Sequence, residues 1–404
     1  MATYGVMGVD SEIRCDFDKL RKDRLAKANN QLKKEGLGSV LVFEQDNIRY
    51  ITGTKLGEGF FGLRSRYALL CADKDPILFE MGSAIPYKRM LSPFMKDIRP
   101  LKNDMKGIIP PESGFVTRGV AEIVDILKEY GLKDAPLGID DAFMPWVRGL
   151  EAAGINVVDG QQCMLNAQEI KTDEEIYLIE MAAAAVDAGF YRVLESAKPG
   201  VKENEVANVM RSTLIELGAE AVHNAQVTTG TRTHPHPHDV SDRVIRPGDM
   251  IFMDVVNDFM GYKTCYYRTF VCGRPTADQK RIYNKAYNWL DSSVKICRPG
   301  ITTADIASQW PTAKEMGFEK EEDAFLLQLA HGVGISHWAK PAILLPYSIE
   351  HPELIKENMV IAVENYYGEG ENGARIEQEI VITKDGNRIL TKFPCEELMS
   401  TWNW

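Results

Sequence analysis

No two of the seven cysteines form a Cys-x-x-Cys pair, and their number is odd. Cys15, Cys71, Cys163, Cys265, Cys272, Cys297 and Cys395 are scattered along all 404 residues, a pattern of reduced thiols rather than a disulfide framework. No apolar run approaches the roughly 18 residues of a membrane helix. The opening Met1-Ala-Thr-Tyr-Gly5 has none of the apolar core of a signal peptide. A concentrated basic patch is also missing, and a net charge of −11 argues against a nucleic-acid surface. These absences predict a soluble, cytoplasmic protein without nucleic-acid or membrane partners. The rest is ordinary for a globular chain, 45% apolar and 26% charged, and long enough for two domains with large cores.

Against that background three acids stand out. Asp254 closes the run Asp249-Met-Ile-Phe-Met-Asp254, and Glu364 closes the similar run Met359-Val-Ile-Ala-Val-Glu364. Glu377 lies inside Arg375-Ile-Glu-Gln-Glu-Ile-Val-Ile-Thr383, and His331 inside Ala330-His-Gly-Val-Gly334. The surrounding Val, Ile and Met read as buried strands. A carboxylate there costs several kcal/mol unless it is paired or bound to a cation. Three acids and an imidazole brought together therefore point to a divalent metal.

Along the chain, residues 16–36 have helical spacing and end at Gly36. A strand, Ser39 to Phe43, and the apolar segment Asn47 to Ile51 follow. Leu56 to Arg66 is a glycine-rich loop with two Phe and two Arg, and Tyr67–Ala72 with Pro76–Phe79 reads as a hairpin. Helix and strand signals alternate as far as Val158, with no catalytic constellation of their own. Thr172 and Glu175 form a capping box opening an Ala-rich helix to about Ala197. Lys198-Pro-Gly-Val-Lys-Glu-Asn-Glu-Val-Ala207 then matches Arg298-Pro-Gly-Ile-Thr-Thr-Ala-Asp-Ile-Ala307. The strands ending in Asp254 and Glu364 echo each other at a similar offset, so the second half reads as a duplication with pseudo-twofold symmetry.

Taken in order, Asp254, Gly261-Tyr262, Arg268-Thr269, His331-Gly-Val-Gly334, Glu364 and Arg375-Ile-Glu377 resemble the pita-bread superfamily, which includes creatinase, aminopeptidase P and prolidase. Asn47-Ile-Arg-Tyr50, Pro275 to Lys280 and Lys392 to Glu397 resemble its dimethylsulfoniopropionate lyase class in particular. The resemblance implies an α/β fold, with a creatinase-like α/β domain over 1–165 and a pseudo-twofold pita-bread α+β domain over 166–404. It also implies a homodimer. Of the superfamily's five metal ligands it carries over Asp254, His331, Glu364 and Glu377. The fifth, an Asp, is Cys265 here, and an Asp that the lyases have two residues after the first is Val256. This departure disfavours a two-metal peptidase. It leaves Cys265 as a thiolate ligand or an inert buried thiol, and the cofactor as one Fe, Mn or Zn ion, or none.

Three of the seven histidines lie in Thr233-His-Pro-His-Pro-His238. The resemblance puts one of them, His236 or His238, beside the substrate, and makes His337 a candidate general base, since an imidazole with a pKa near 6.5 takes up a proton at neutral pH. It likewise implies that Arg64 or Arg66 grips a substrate carboxylate. Phe60, Phe61, Trp338, Tyr366 and Tyr367 are candidates for a cage around an onium group. His223 and His351 read as structural or surface residues, and Trp402 and Trp404 as packing on a partner chain. The expected activity is cleavage of a C–S or C–N bond in a small carboxylate-bearing zwitterion. The alternatives are an Xaa-Pro aminopeptidase or dipeptidase, a metal-free creatinase-type hydrolase, and a non-catalytic scaffold.

Overall fold

A computed structural model describes residues 15–55, 66–141 and 144–402. Phe60, Phe61, Arg64 and Trp404 lie outside them. Helix α1 (Phe17–Lys34) is capped by Asp16, whose carboxylate accepts from the amides of Asp18 and Lys19 at 3.0 Å. Leu20, Arg24, Ala28 and Leu32, four residues apart, form its buried face. Strand β1 (Ser39–Val42) is buried throughout. The apolar segment after it is helical: α2 (Gln45–Thr52) buries Ile48, Tyr50 and Ile51 and stops at Gly53, whose φ of +67° suits a residue without Cβ.

β2 (Tyr67–Cys71) and β3 (Ile77–Glu80) form the expected hairpin, with Tyr67 opposite Phe79. Then come α3 (Ile85–Leu91), β4 (Asp97–Pro100), α4 (Phe115–Glu129), β5 (Leu137–Ile139), α5 (Met144–Ala152), β6 (Val157–Asp159) and α6 (Gln161–Gln168). The strands make one mixed sheet in the order β4-β3-β2-β1-β5-β6.

The second half opens with α7 (Asp173–Ser196), whose Thr172–Glu175 capping box is formed as expected. α8 (Glu203–Glu216), β7 (Ala221–Thr229), β8 (Met250–Phe259) and β9 (Tyr262–Val271) complete one repeat. α9 (Ala277–Ile296), α10 (Thr303–Ala307), β10 (Gln328–Gly332), β11 (Ala339–Ile343), α11 (Leu345–Glu350), β12 (Val360–Glu369), β13 (Asn372–Ile382) and β14 (Asn387–Ile389) form the other. The matching sequence segments adopt matching conformations. The Gly200 amide donates to Ile245 O and the Gly300 amide to Ile355 O, both at 3.0 Å, with φ of +93° and +90°. Each long helix also starts on a capping box, the second being Thr276 with Gln279.

Two sheets result, β11-β10-β12-β13-β14 and β15-β9-β8-β7, where β15 is Met399–Ser400. They are stitched where β9 meets β13. Thr269 Oγ1 donates to Arg375 O at 2.6 Å and accepts from the Arg375 amide at 3.0 Å. One apolar cluster runs from α1 and β1 into Val256, Tyr262 and Val333, so the two halves share a core. Lys263–Asp46 (2.7 Å) and Lys27–Glu175 (3.0 Å) tie them further. β15 pairs with β9, and Trp402 lies half-buried against the core of α7, α8 and β7–β9. No helix among the described residues is long and apolar enough to cross a membrane.

Candidate metal centre and cleft

The pairing of β8 with β9 and of β12 with β13 sets the donors. Asp254 stands opposite Tyr267, and Glu364 opposite Glu377. Cys265 pairs with Val256 in one half and Arg375 with Tyr366 in the other, each two residues after the acid, so both fall on the acid's face of the hairpin. Strand β10 adds His331. Asp254, Cys265, Tyr267, His331, Glu364 and Arg375 line a cleft of ≈ 470 Å³ whose other walls include Asn224, His223, His238, His337 and Trp338, while Glu377 is buried beside Cys265 and His331.

All the donors are withdrawn from solvent: Asp254 is 7% exposed, Cys265 4%, His331 1%, Glu364 3% and Glu377 0%. Cys265 Sγ lies 3.7 Å from Glu377 Oε2 and 3.9 Å from Asp254 Oδ1, and His331 Nε2 is 3.9 Å from Glu377 Oε1. His331 Nδ1 sits 3.0 Å from Gly332 O. A carbonyl only accepts, so Nδ1 carries the hydrogen and Nε2 turns its lone pair toward the acids. Neither His331 Nε2 nor Glu377 Oε1 has a hydrogen-bond partner among the described residues. Burial, reinforced by Glu364, pushes the Asp254 carboxyl up to about 7 and the Glu377 carboxyl well above its ordinary range. Buried acids, a lone pair aimed at them and an unpartnered oxygen fit one divalent ion.

Glu364 is the donor with a protein partner. Arg375 donates to its Oε2 from Nε at 2.9 Å and approaches the same oxygen with Nη2 at 2.7 Å. Arg375 Nη1 is buried without a hydrogen-bond partner, and the guanidinium lies 4.9 Å from the centre of the Tyr267 ring. The motif Arg375-Ile-Glu377 does not by itself assign Arg375 this role. Its alternation with Glu377 and Glu379 on one strand face was the available signal.

The histidine tract divides. His238 lines the cleft and is exposed. His236 lies behind it, 4.8 Å from the Phe252 ring and 5.2 Å from Tyr366, and burial pushes it down to about 2. His234 Nδ1 donates to the Tyr366 hydroxyl at 2.7 Å, and that hydroxyl donates to Thr233 O at 2.9 Å. A Cβ on Gly373 would stand 2.0 Å from Thr233 O, so only glycine lets the loop approach β13 this closely. From below, buried Glu203 accepts from Thr229 N and Oγ1 at 2.8 Å, from Ser241 N at 3.0 Å and Oγ at 2.5 Å, and from Arg232. One carboxylate thus holds both ends of the loop.

Several expectations need correction. Arg66 is fully buried in its own domain, bonded to Thr54 and 3.7 Å from Glu80, and is not presented to a substrate. Tyr366 spends its hydroxyl on the histidine loop and forms no wall of the cleft, while Tyr367 packs against Trp289 and Lys285. His223, expected to be structural or on the surface, lines the cleft 3.6 Å from Asp258. His337 lines the cleft as well, but burial pushes it down to about 3. A base that weak gains little from proton transfer at neutral pH.

Residues 24–164 match the creatinase/prolidase N-terminal domain and residues 178–384 match metallopeptidase family M24. The chain is 27% identical to the uncharacterized peptidase YqhT of Bacillus subtilis over 384 residues, 92% of this chain and 99% of that one. It is 25% identical to dimethylsulfoniopropionate lyase DddP of Roseovarius nubinhibens over 408 residues, 94% and 87% of the two chains. The structure of an Xaa-Pro dipeptidase from Bacillus anthracis superposes with a TM-score of 0.75 at 21% identity, covering 94% of this chain and 99% of that one. With its duplicated β-hairpins, its inward-facing acids and these matches, the chain belongs to metallopeptidase family M24 of the pita-bread superfamily.

Proposed function

We propose that the chain is an enzyme that uses one divalent metal ion to cleave a C–S or C–N bond in a small, carboxylate-bearing zwitterion. The observation that carries this reading is the composition of the donor set: Cys265 replaces a carboxylate and Arg375 already neutralises Glu364, so the remaining charge suits one ion rather than two. The cleft volume suits a small molecule. Arg375 Nη1, buried and without a partner, is placed to donate to a substrate carboxylate. Tyr267 and the half-exposed Trp338 offer aromatic faces to an onium group. His238, at the exposed edge, is placed to exchange a proton with substrate or solvent. When bound, the ion would supply Lewis-acid polarisation or lower the pKa of a water molecule.

Elemental mass spectrometry of the purified protein, joined to a substrate panel, tests this. About one Fe, Mn or Zn per chain, with turnover of sulfonium or quaternary-ammonium carboxylates, is expected. Two ions per chain with turnover of Xaa-Pro dipeptides would establish the dipeptidase reading instead. Turnover of the zwitterions by protein that takes up no metal would replace the proposal with metal-free hydrolysis.

A further inference from the structure

The donors in the cleft fall into three overlapping triads whose ligand atoms lie within 4.8 Å of one another: His331, Glu364 and Glu377; Asp254, Cys265 and Glu377; Cys265, His331 and His337. Their chemistry differs. In the first, Glu364 already holds the guanidinium of Arg375. In the third, both imidazoles have a buried Nε2 without a hydrogen-bond partner among the described residues. Glu377 completes that triad, with Oε2 3.7 Å from Cys265 Sγ and the unpartnered Oε1 3.9 Å from His331 Nε2. In a tetrahedral zinc site, with bonds of about 2.3 Å to sulfur and about 2.0 Å to nitrogen, neighbouring donors stand about 3.5 Å apart. The two Glu377 separations exceed that by a few tenths of an ångström, and the donor atoms of Cys265, His331 and His337 lie within 4.8 Å of one another, so the side chains draw together around an ion.

Resting on the one-metal reading above, we propose that Cys265, His331, His337 and Glu377 form the coordination set, a mixed sulfur, nitrogen and oxygen site. It selects a borderline-soft ion, Zn(II) or Fe(II), over Mn(II) or Mg(II). On binding, the Cys265 thiol releases its proton to solvent and its sulfur bonds to the ion as thiolate. The divalent charge is then met by two anions, the thiolate and Glu377, while Glu364 stays with Arg375. His337 becomes a ligand rather than a base, in keeping with its burial.

The test is cobalt and zinc binding by the metal-stripped full chain. One Co(II) per chain is expected, with a near-ultraviolet thiolate-to-cobalt charge-transfer band that Cys265→Ser abolishes. Zinc affinity, read by competition with a chromophoric chelator, is expected to fall about tenfold or more in Cys265→Ser and in His337→Gln. X-ray absorption at the zinc edge of the wild-type protein requires no variant and is expected to show one sulfur and two imidazoles. One cobalt bound without the band, or a zinc shell without sulfur, would overturn this coordination set and leave the one-metal reading intact. Failure to bind either ion would overturn both.

Discussion

Glu203→Gln is expected to cost the second domain about 3 kcal/mol and to release the histidine loop from α8. The wild-type carboxylate accepts at both oxygens, from Thr229 on one side and from Ser241 and Arg232 on the other. Glutamine keeps one acceptor, which can still serve Thr229. Its amide nitrogen then faces the Ser241 amide and Arg232, donor against donor. Leaving a buried amide unsatisfied costs about 1–3 kcal/mol, and removing one partner of a buried ion pair about 3–5 kcal/mol. The upper value is not reached, because Arg232 is 24% exposed and retains Asp239 as a partner. Urea unfolding followed by tryptophan fluorescence measures the loss. Of the six tryptophans only Trp146 precedes residue 170, so the signal reports on the second domain. Hydrogen exchange at the Thr229 and Ser241 amides should accelerate in parallel. A stability within about 0.5 kcal/mol of wild type, with unchanged exchange, would refute the clamp.

Three further substitutions probe the site. Arg375→Met leaves Glu364 buried beside other acids without its counter-ion, and should lower the stability of the metal-free protein by about 3–5 kcal/mol in urea titration; a neutral result would show that the pair adds nothing. In the metal-free chain, Asp254 is raised from 3.8 to about 7, so the folded state binds a proton that the unfolded state releases. Stability is therefore lost as pH rises from 3.8 toward about 7, and thermal unfolding of chelator-treated Asp254→Asn should show a shallower decline over that window, while an unchanged slope counts against the assignment. Gly332→Ala would place a Cβ 1.9 Å from Lys340 O at the irregularity between β10 and β11, next to His331. It should cost about 1–3 kcal/mol and weaken metal uptake, and wild-type metal content together with wild-type stability would disprove the close approach.

Much of this architecture was legible one residue at a time. The Thr172–Glu175 box, the paired Pro-Gly segments and the acids closing Val-, Ile- and Met-rich runs are local patterns, and each adopts the structure that local energetics favour. A strand with a carboxylate among β-branched residues carries its own warning of a buried charge. The departure at Cys265 was visible once the resemblance to the pita-bread superfamily had been drawn. Other features were not accessible in this way. The segment after β1 has the apolar content of a strand, and becomes α2 because packing on α1 and α6 buries its Ile and Tyr on one side. Arg66 resembles a solvated loop cation until Glu80 is seen beside it, 14 residues away in sequence (80 − 66 = 14).

The residues alone pointed to the duplicated domain and the buried acids, because periodicity and capping act over short stretches of chain, and the resemblance to the pita-bread superfamily added the missing carboxylate at Cys265. Which histidine of 234–238 meets the cleft, whether His337 is basic, and which acid Arg375 neutralises depend on contacts between residues far apart in sequence. His238 differs from His236 only in whether the Phe252–Tyr366 wall or the cleft stands against its ring. Burial and neighbouring charge decide a side chain's chemistry, and both are properties of the assembled fold rather than of the segment that carries it.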